Sequence, residues 1–164
     1  MSDTIELFQG TRVENVQSII SCGFVGSAKG RLGPGGYFTD NFHAAQVISA
    51  HRGNGTNTVV LKVQVKLPKC VKLDTMHIAE AFDGREQKWA KEGGYMAATG
   101  THPSWLGLAP FNEWVILNPA CCKVTEVHML NGALPHGLNA PGVKLCIRGT
   151  VSVGGNLVCD IVFG

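Results

Sequence analysis

The sequence has little charge: Asp, Glu, Lys and Arg make up only 16% of its 164 residues, and the formal net charge is +2. Such a small, scattered basic excess gives no electrostatic argument for a nucleic-acid partner. Hydrophobic residues make up 45% of the chain, which is the composition of a compact globular protein. We therefore expect a single domain spanning residues 1–164.

Long apolar stretches are missing too. No run approaches the roughly 20 apolar residues that a membrane-spanning helix needs. The first residues also lack the basic start and apolar stretch of a signal peptide. These absences predict a soluble protein of the cytoplasm or nucleus that has no membrane partner.

Metal-binding motifs are absent from the sequence. The six cysteines include no C-x-x-C pair, and the six histidines form no H-E-x-x-H motif. We therefore expect no metal site. Free cysteines are among the residues most often found inside proteins, so we interpret these as reduced and mostly buried thiols.

Glycine, by contrast, is abundant, with 21 residues, and six of them lie between Gly23 and Gly36. This segment predicts a long loop, and such loops inside a compact domain are usually functional. Apolar spacing predicts helices over residues 13–22, 41–51 (capped by Asp40) and 78–91. Alternating or continuous apolar runs predict strands over residues 5–9, 56–67, 71–73, 111–117, 123–129, 143–147, 150–153 and 157–162. Residues 99–110 are expected to be a loop, and Gly149 and Gly154-Gly155 are expected to be turns. The fold class is α+β, with eight or nine strands and two or three helices.

Three short segments stand out: Phe8-Gln9-Gly10-Thr11-Arg12 at a strand end, Gly35-Gly36-Tyr37-Phe38 after the loop, and Phe111-Asn112-Glu113-Trp114 on a later strand. In this order they resemble the catalytic domain of poly(ADP-ribose) polymerase-like ADP-ribosyltransferases, over about residues 5 to 130. That family has a histidine-glycine-threonine/serine strand end, a glycine-x-tyrosine-phenylalanine strand and an asparagine-glutamate-aromatic run. At the histidine position this chain has Gln9.

The resemblance implies an ADP-ribosyltransferase-like split β-sandwich core, with residues 131–164 as a C-terminal β extension. It implies a mono-ADP-ribosyltransferase of the glycosyltransferase class, with NAD as substrate and no metal. The enzyme would release nicotinamide and pass ADP-ribose to a protein acceptor or, as the weaker alternative, to a nucleic acid. The implied catalytic residues are Gln9, Tyr37 and Glu113, and the implied NAD-binding residues are Gln9, Gly10, Thr11, Arg12, Gly36 and Tyr37.

The chemistry of these residue types suits that role. The bare backbone of Gly10 can pair with a carboxamide, and the ring of Tyr37 can stack on nicotinamide. A carboxylate at Glu113 can bond a ribose hydroxyl and stabilise the oxocarbenium-like charge that grows as nicotinamide leaves. Arg12 would lie near the pyrophosphate or the adenine.

Two departures from the family pattern leave other functions open. The family often has a serine and a second stacking tyrosine on the helix after the first tyrosine, and here these positions fall near Ala45 and Ile48. One face of the ring then stays open unless Phe42, Tyr95 or Trp105 closes it. The alternative function is therefore a catalytically inactive module that binds a nucleotide or a protein. A third hypothesis is an RNA 2′-phosphotransferase, for which only Arg12 and Arg31 are suitably placed.

Overall fold

Two α-helices and one nine-stranded sheet form the α+β fold of the described part of the chain. The computed structural model describes residues 4–26, 32, 35–52, 58–66, 70–72, 93–130, 138–152 and 156–163. The helix expected over residues 78–91 and the turn expected at Gly154-Gly155 lie outside these ranges. No helix within them is both long and apolar enough to cross a membrane.

The first part of the chain folds as its apolar spacing predicts. Strand β1 (Thr4–Arg12) is followed by a 3-10 turn (Val13–Asn15) and helix α1 (Val16–Cys22). Gly23 ends α1 with a positive φ of 88°, a conformation that favours glycine. Strand β2 (Gly36–Thr39), helix α2 (Phe42–Arg52) and strand β3 (Thr58–Lys66) come next.

The second part contains mainly strands. They are β4 (Cys70–Lys72), β5 (Ala97–His102), β6 (Phe111–Ile116), β7 (Cys122–Met129), β8 (Lys144–Ser152) and β9 (Asn156–Phe163). A 3-10 turn (Pro119–Cys121) precedes β7, and the Asn118 side chain caps it by accepting from the Ala120 N–H at 3.1 Å. The α+β class is confirmed.

Three local predictions were wrong. Residues 99–102 belong to β5 because they pair with β6 along their whole length. Gly149 is no turn, since it pairs with Cys159 inside the continuous strand β8. The N-terminal cap of α2 is Asn41, whose Oδ1 accepts from the Ala44 N–H at 3.0 Å.

The thiols are less buried than predicted. Among the cysteines whose side chains the structure describes, none is in a disulfide. Only Cys146 is buried, whereas Cys22 is exposed and the other three are partly buried: Cys70, Cys121 and Cys122. Burial, together with the neighbouring Cys121, raises the pKa of the Cys122 thiol to about 12, so this thiol is a poor nucleophile near neutral pH.

The sheet consists of two strand blocks, β4-β5-β6-β2 and β1-β3-β7-β8-β9, which are joined by a single residue pair. Its strand order is β4-β5-β6-β2-β1-β3-β7-β8-β9. Strand β1 pairs with β3 along its whole length, from Thr4 to Arg12. With β2, however, β1 shares a single residue pair, Phe8 with Thr39. The other residues of β1 and β2 do not pair with each other, so the hydrogen-bonded ladder between the two blocks is interrupted.

Candidate functional site

A pocket lies where β1 and β2 separate. It has an interior volume of about 70 Å³, well below the roughly 300–1,000 Å³ of sites that enclose a whole drug-sized ligand. The pocket can therefore hold only one chemical group of a larger ligand. Its lining comes from β1, β2, α2, β5, β6 and the segment between β5 and β6: Phe8, Gln9, Gly10, Tyr37, Phe38, Thr39, Ala45, Ile48, His102, Trp105, Phe111 and Glu113.

The pocket gathers four of the residues singled out in the sequence, Gln9, Gly10, Tyr37 and Glu113. Thr11 and Arg12 instead line a second, open cavity of about 340 Å³, together with Asn15 and His51. Gly36 is not among the lining residues of either cavity; it pairs with Ile116 of β6 and is buried.

Strand pairing on both sides fixes the backbone of Glu113. It pairs with Thr39 of β2 and with Gly100 of β5. Its carbonyl oxygen also accepts a hydrogen bond from Thr99 Oγ1 at 3.0 Å. The Glu113 side chain is only partly buried, so its carboxylate sits on a rigid strand at the wall of an open pocket. Such a group can bond a hydroxyl or stabilise a developing positive charge.

Tyr37 is held at two points. Its hydroxyl accepts a hydrogen bond from the backbone N–H of the fully buried Leu32 at 2.9 Å. Its carbonyl oxygen accepts one from Gln9 Nε2, also at 2.9 Å. The aromatic ring at the pocket wall is therefore positioned before any ligand arrives, which limits the ordering cost of binding.

The amide nitrogen of Gln9 thus makes a hydrogen bond within the protein, whereas the resemblance implies that Gln9 binds NAD. Residue 9 bridges β1 to β2 where the two main chains no longer pair. The glutamine amide also has an acceptor oxygen, so a ligand contact is compatible with this bridge.

Close helix packing gives Gly10 a structural reason to be glycine. A β-carbon at this position would lie 2.8 Å from Cβ of Ser49 and closer still to the carbonyl oxygen of Ala45. The buried Ser49 hydroxyl donates to the Thr11 carbonyl at 3.0 Å and accepts from the Val59 N–H at 3.1 Å. Helix α2 is thereby fixed against β1 and β3, which places Ala45 and Ile48 in the pocket.

An aromatic wall is the part of the pocket that the sequence did not predict. His102 stacks on Phe111 with ring centroids 4.8 Å apart and planes 5° apart. The ring centroid of Trp105 lies 5.5 Å from that of His102 and 5.6 Å from that of His51. These residues were missed because residues 99–110 were predicted to be a loop; the only signal was Trp105, one of three aromatics proposed to close the ring sandwich.

The structure places those three aromatic side chains in different surroundings. Trp105 lines the pocket and is 38% exposed. Phe42 instead packs edge-on against Phe8 and His128. Tyr95 packs in a small core cluster beside Tyr37. Of the three, Trp105 alone lines the pocket.

The two cavities adjoin through one ring pair. Trp105 lines the pocket and His51 lines the second cavity, and their ring centroids are 5.6 Å apart. Arg12 supplies a cation to the second cavity, and its Nη1 lies 4.0 Å from Oε1 of Glu14 in an exposed, weak pair. The small pocket therefore lies next to a basic region that is open to solvent.

A separate polar cluster lies on β3, β7 and β8. Glu126 is within 3.1 Å of Lys62, 3.6 Å of Lys144 and 3.6 Å of His128 Nε2. Burial opposes its ionisation, but the hydrogen bond and charge of Lys62, together with His128 and Lys144, lower the pKa of Glu126. The hydrogen bond from Lys62 to Glu126 raises the pKa of Lys62 in turn.

No protein-family model matches this chain, and no curated protein is significantly similar to it in sequence.

Proposed function

We propose that this protein is a mono-ADP-ribosyltransferase of the cytoplasm or nucleus that uses NAD and modifies a protein acceptor. The observation that carries the proposal is that Gln9, Tyr37 and Glu113 meet in one pocket. They come from three separate strands, and the sequence order of their segments is that of the ADP-ribosyltransferase family.

The sheet supports the finer fold assignment. A split β-sandwich needs two strand blocks that part at the binding site, and here β1 and β2 share only the pair Phe8 and Thr39. The pocket opens beside that pair. Residues from all three segments that resemble the family therefore line the pocket at this junction.

In this proposal nicotinamide enters the pocket against Tyr37, and the rest of NAD extends past Trp105 toward Arg12. The bond between the nicotinamide nitrogen and ribose C1′ breaks, and its electron pair leaves with nicotinamide. Positive charge grows on the ribose, where the Glu113 carboxylate stabilises it. The acceptor's nucleophile then bonds to C1′ and gives its proton to solvent.

One observation favours the alternative, a non-catalytic module that binds a nucleotide or a protein. Ala45 and Ile48 line the pocket at positions where the family often has a serine and a tyrosine. They offer neither a hydroxyl nor a ring, so the pocket has fewer groups to orient a carboxamide for reaction.

Nicotinamide release from labelled NAD, measured for the parent and for Glu113→Gln, tests the proposal. Loss of a charge-stabilising contact costs about 10²–10³ in rate, so Glu113→Gln should lose nearly all turnover and keep its melting temperature. Glu6→Gln is the matched control, since Glu6 is an exposed strand carboxylate outside the pocket, and it should react like the parent.

Calorimetry with NAD distinguishes the two functions. Binding by the parent with no nicotinamide release under any condition would favour the binding module. Neither binding nor release would reject both the enzyme and a module that binds NAD. Release that Glu113→Gln leaves unchanged would remove Glu113 from catalysis.

A further inference from the structure

A second set of chemically active side chains lies outside the pocket. Glu126, His128 and Cys146 place a carboxylate oxygen, an imidazole nitrogen and a thiol sulfur within 4.8 Å of one another. His128 is 7% exposed and Cys146 is 3% exposed. This grouping does not depend on the proposed enzymatic function.

The parallel pairing of β7 with β8 creates this group. The register aligns Glu126 with Lys144, and His128 with Cys146. Since side chains two residues apart on a strand share a face, Glu126 and His128 point the same way, beside Cys146 of the neighbouring strand. No sequence spacing reveals the trio, because its third member comes from a different strand.

We propose that these three side chains form a site for a zinc-class divalent transition ion. Oxygen, nitrogen and sulfur donors together suit zinc, whose tetrahedral sites often leave the fourth position to water. Tetrahedral zinc holds such donors about 3.3–3.6 Å apart. The separation of 3.6 Å between Glu126 Oε2 and His128 Nε2 already meets this, and the sulfur needs to approach by about 1 Å.

Two lysines compete with the ion for the carboxylate. Lys62 Nζ is 3.1 Å from Glu126 Oε2, and Lys144 Nζ is 3.6 Å from Oε1. Metal binding displaces the Lys62 ammonium, which keeps its proton. The Cys146 thiol loses its proton to solvent as the sulfur–metal bond forms, so affinity rises with pH.

The position of the site suggests what the ion does. Strands β8 and β9 pair with each other at eight positions, from Leu145 with Phe163 to Ser152 with Asn156. Strand β8 joins the rest of the sheet through only four pairs with β7. An ion held by β7 and β8 would fasten this hairpin at the junction, because a ligand that binds only the folded state stabilises it.

Titration of the reduced, chelator-treated protein with Zn²⁺ tests the site. We expect one equivalent to bind, and we expect Co²⁺ to give an absorption band from a thiolate–cobalt bond. Cys146→Ser and His128→Gln should each weaken binding at least about 100-fold, since even outer partners of metal ligands are worth 10–100-fold. Cys22→Ser, at an exposed thiol, should bind like the parent.

Replacing the competing Lys62 should change the metal affinity in the opposite direction. Lys62→Met should tighten Zn²⁺ binding by at least about tenfold, because it removes a cation from beside a divalent ion. Zn²⁺ should also raise the melting temperature of the parent and not that of Cys146→Ser. If Cys146→Ser or His128→Gln misfolds, the Co²⁺ band of the parent and of Lys62→Met still tests whether the site binds a metal ion. No stoichiometric binding by the parent, or a Co²⁺ band that persists in Cys146→Ser, would overturn the proposal.

Discussion

At the scale of single residues, the side chain of Gln9 makes a hydrogen bond to β2 in place of a backbone hydrogen bond between the two strands. Its amide donates to the Tyr37 carbonyl at 2.9 Å where β1 and β2 no longer pair. Gln9→Ala removes a bond worth about 0.5–1.5 kcal/mol and frees Tyr37 to move. We expect weaker NAD binding by calorimetry and slower nicotinamide release. Gln9→His, which restores the family residue, should raise the release rate above that of the parent.

Gln64→Ala is the matched control, because Gln64 is an exposed strand glutamine outside the pocket; it should behave like the parent. If Gln9→Ala, Gln9→His and the parent all react at one rate, residue 9 neither touches the ligand nor positions Tyr37.

The two aromatic side chains at the pocket wall give the next prediction. Tyr37 and Trp105 both line the pocket. Stacking contributes about 0.5–1.5 kcal/mol per aromatic pair beyond buried area. Tyr37→Ala and Trp105→Ala should therefore each weaken NAD binding about 5- to 30-fold by calorimetry, a change of about 1–2 kcal/mol. Tyr37→Phe and Trp105→Phe keep a ring and should retain most of the affinity.

The Trp105 variants should melt close to the parent, since this side chain is 38% exposed. Equal NAD affinity in Trp105→Ala and the parent would mean that the ring stays open on that side, as the departures at Ala45 and Ile48 alone would suggest.

At the scale of elements, the sequence predicted best where burial on one face dictates the pattern. The strand over 56–67 was expected from its apolar run and alternation, and in β3 the fully buried Val63 and Val65 alternate with the exposed Gln64 and Lys66. Helix α1 ends at Gly23 as its spacing and the glycine predict. These elements carry their own signal because each depends on local periodicity.

Elements that depend on distant partners were missed. Thr99–His102 has little apolar character, and it is a strand because β6 pairs with it and buries Gly100. Gly149 looks like a turn locally, yet pairing with β9 keeps it extended. Asp40 is a good cap by type, but its carboxylate accepts from Asn112 Nδ2 at 3.0 Å, and Asn41 caps α2 instead.

In the candidate site, too, some residues were predicted from the sequence and others were missed. Its motif residues Gln9, Tyr37 and Glu113 were predicted from three segments, and they line one pocket. The wall of His102 and Trp105 was not predicted as a unit, because it depends on β5 and on ring contacts across a turn. Gly10 shows the limit of motif reasoning, since packing against α2 already requires a residue without a side chain there.

At the scale of the whole molecule, the two polar sites lie at different positions along the sheet. The pocket lies at the break between β1 and β2. The Glu126 cluster lies on the far side of β1, where β3 and β7 pair over most of their length. One ring chain links them: Phe8 lines the pocket and packs on Phe42, which packs on His128. His128 is therefore connected to the pocket wall by a chain of direct ring contacts.

Acid should weaken the block that contains β1, β3, β7 and β8, because an alternating charge network crosses it. Lys62 lies 3.4 Å from Glu6 of β1 and 3.1 Å from Glu126 of β7, and Lys144 of β8 adds a second cation. The pKa of Glu126 is lowered from its ordinary 4.5 in the folded protein. A carboxyl group with a depressed folded pKa stabilises the fold above its unfolded pKa, and that stability is lost as pH falls through the folded value.

We therefore predict that the melting temperature falls more steeply in the parent than in Glu126→Gln between about pH 5.5 and 3.5, the range around the ordinary pKa of a glutamate. At the upper end the parent should melt higher by about 1–4 °C, since screened pairs contribute about 0.2–1 kcal/mol each. Glu14→Gln, which changes a carboxylate with 59% side-chain exposure, should follow the parent at every pH. Parallel curves for the parent and Glu126→Gln would show that the network adds nothing to the stability of this block, leaving the strand pairing and the apolar core to hold it.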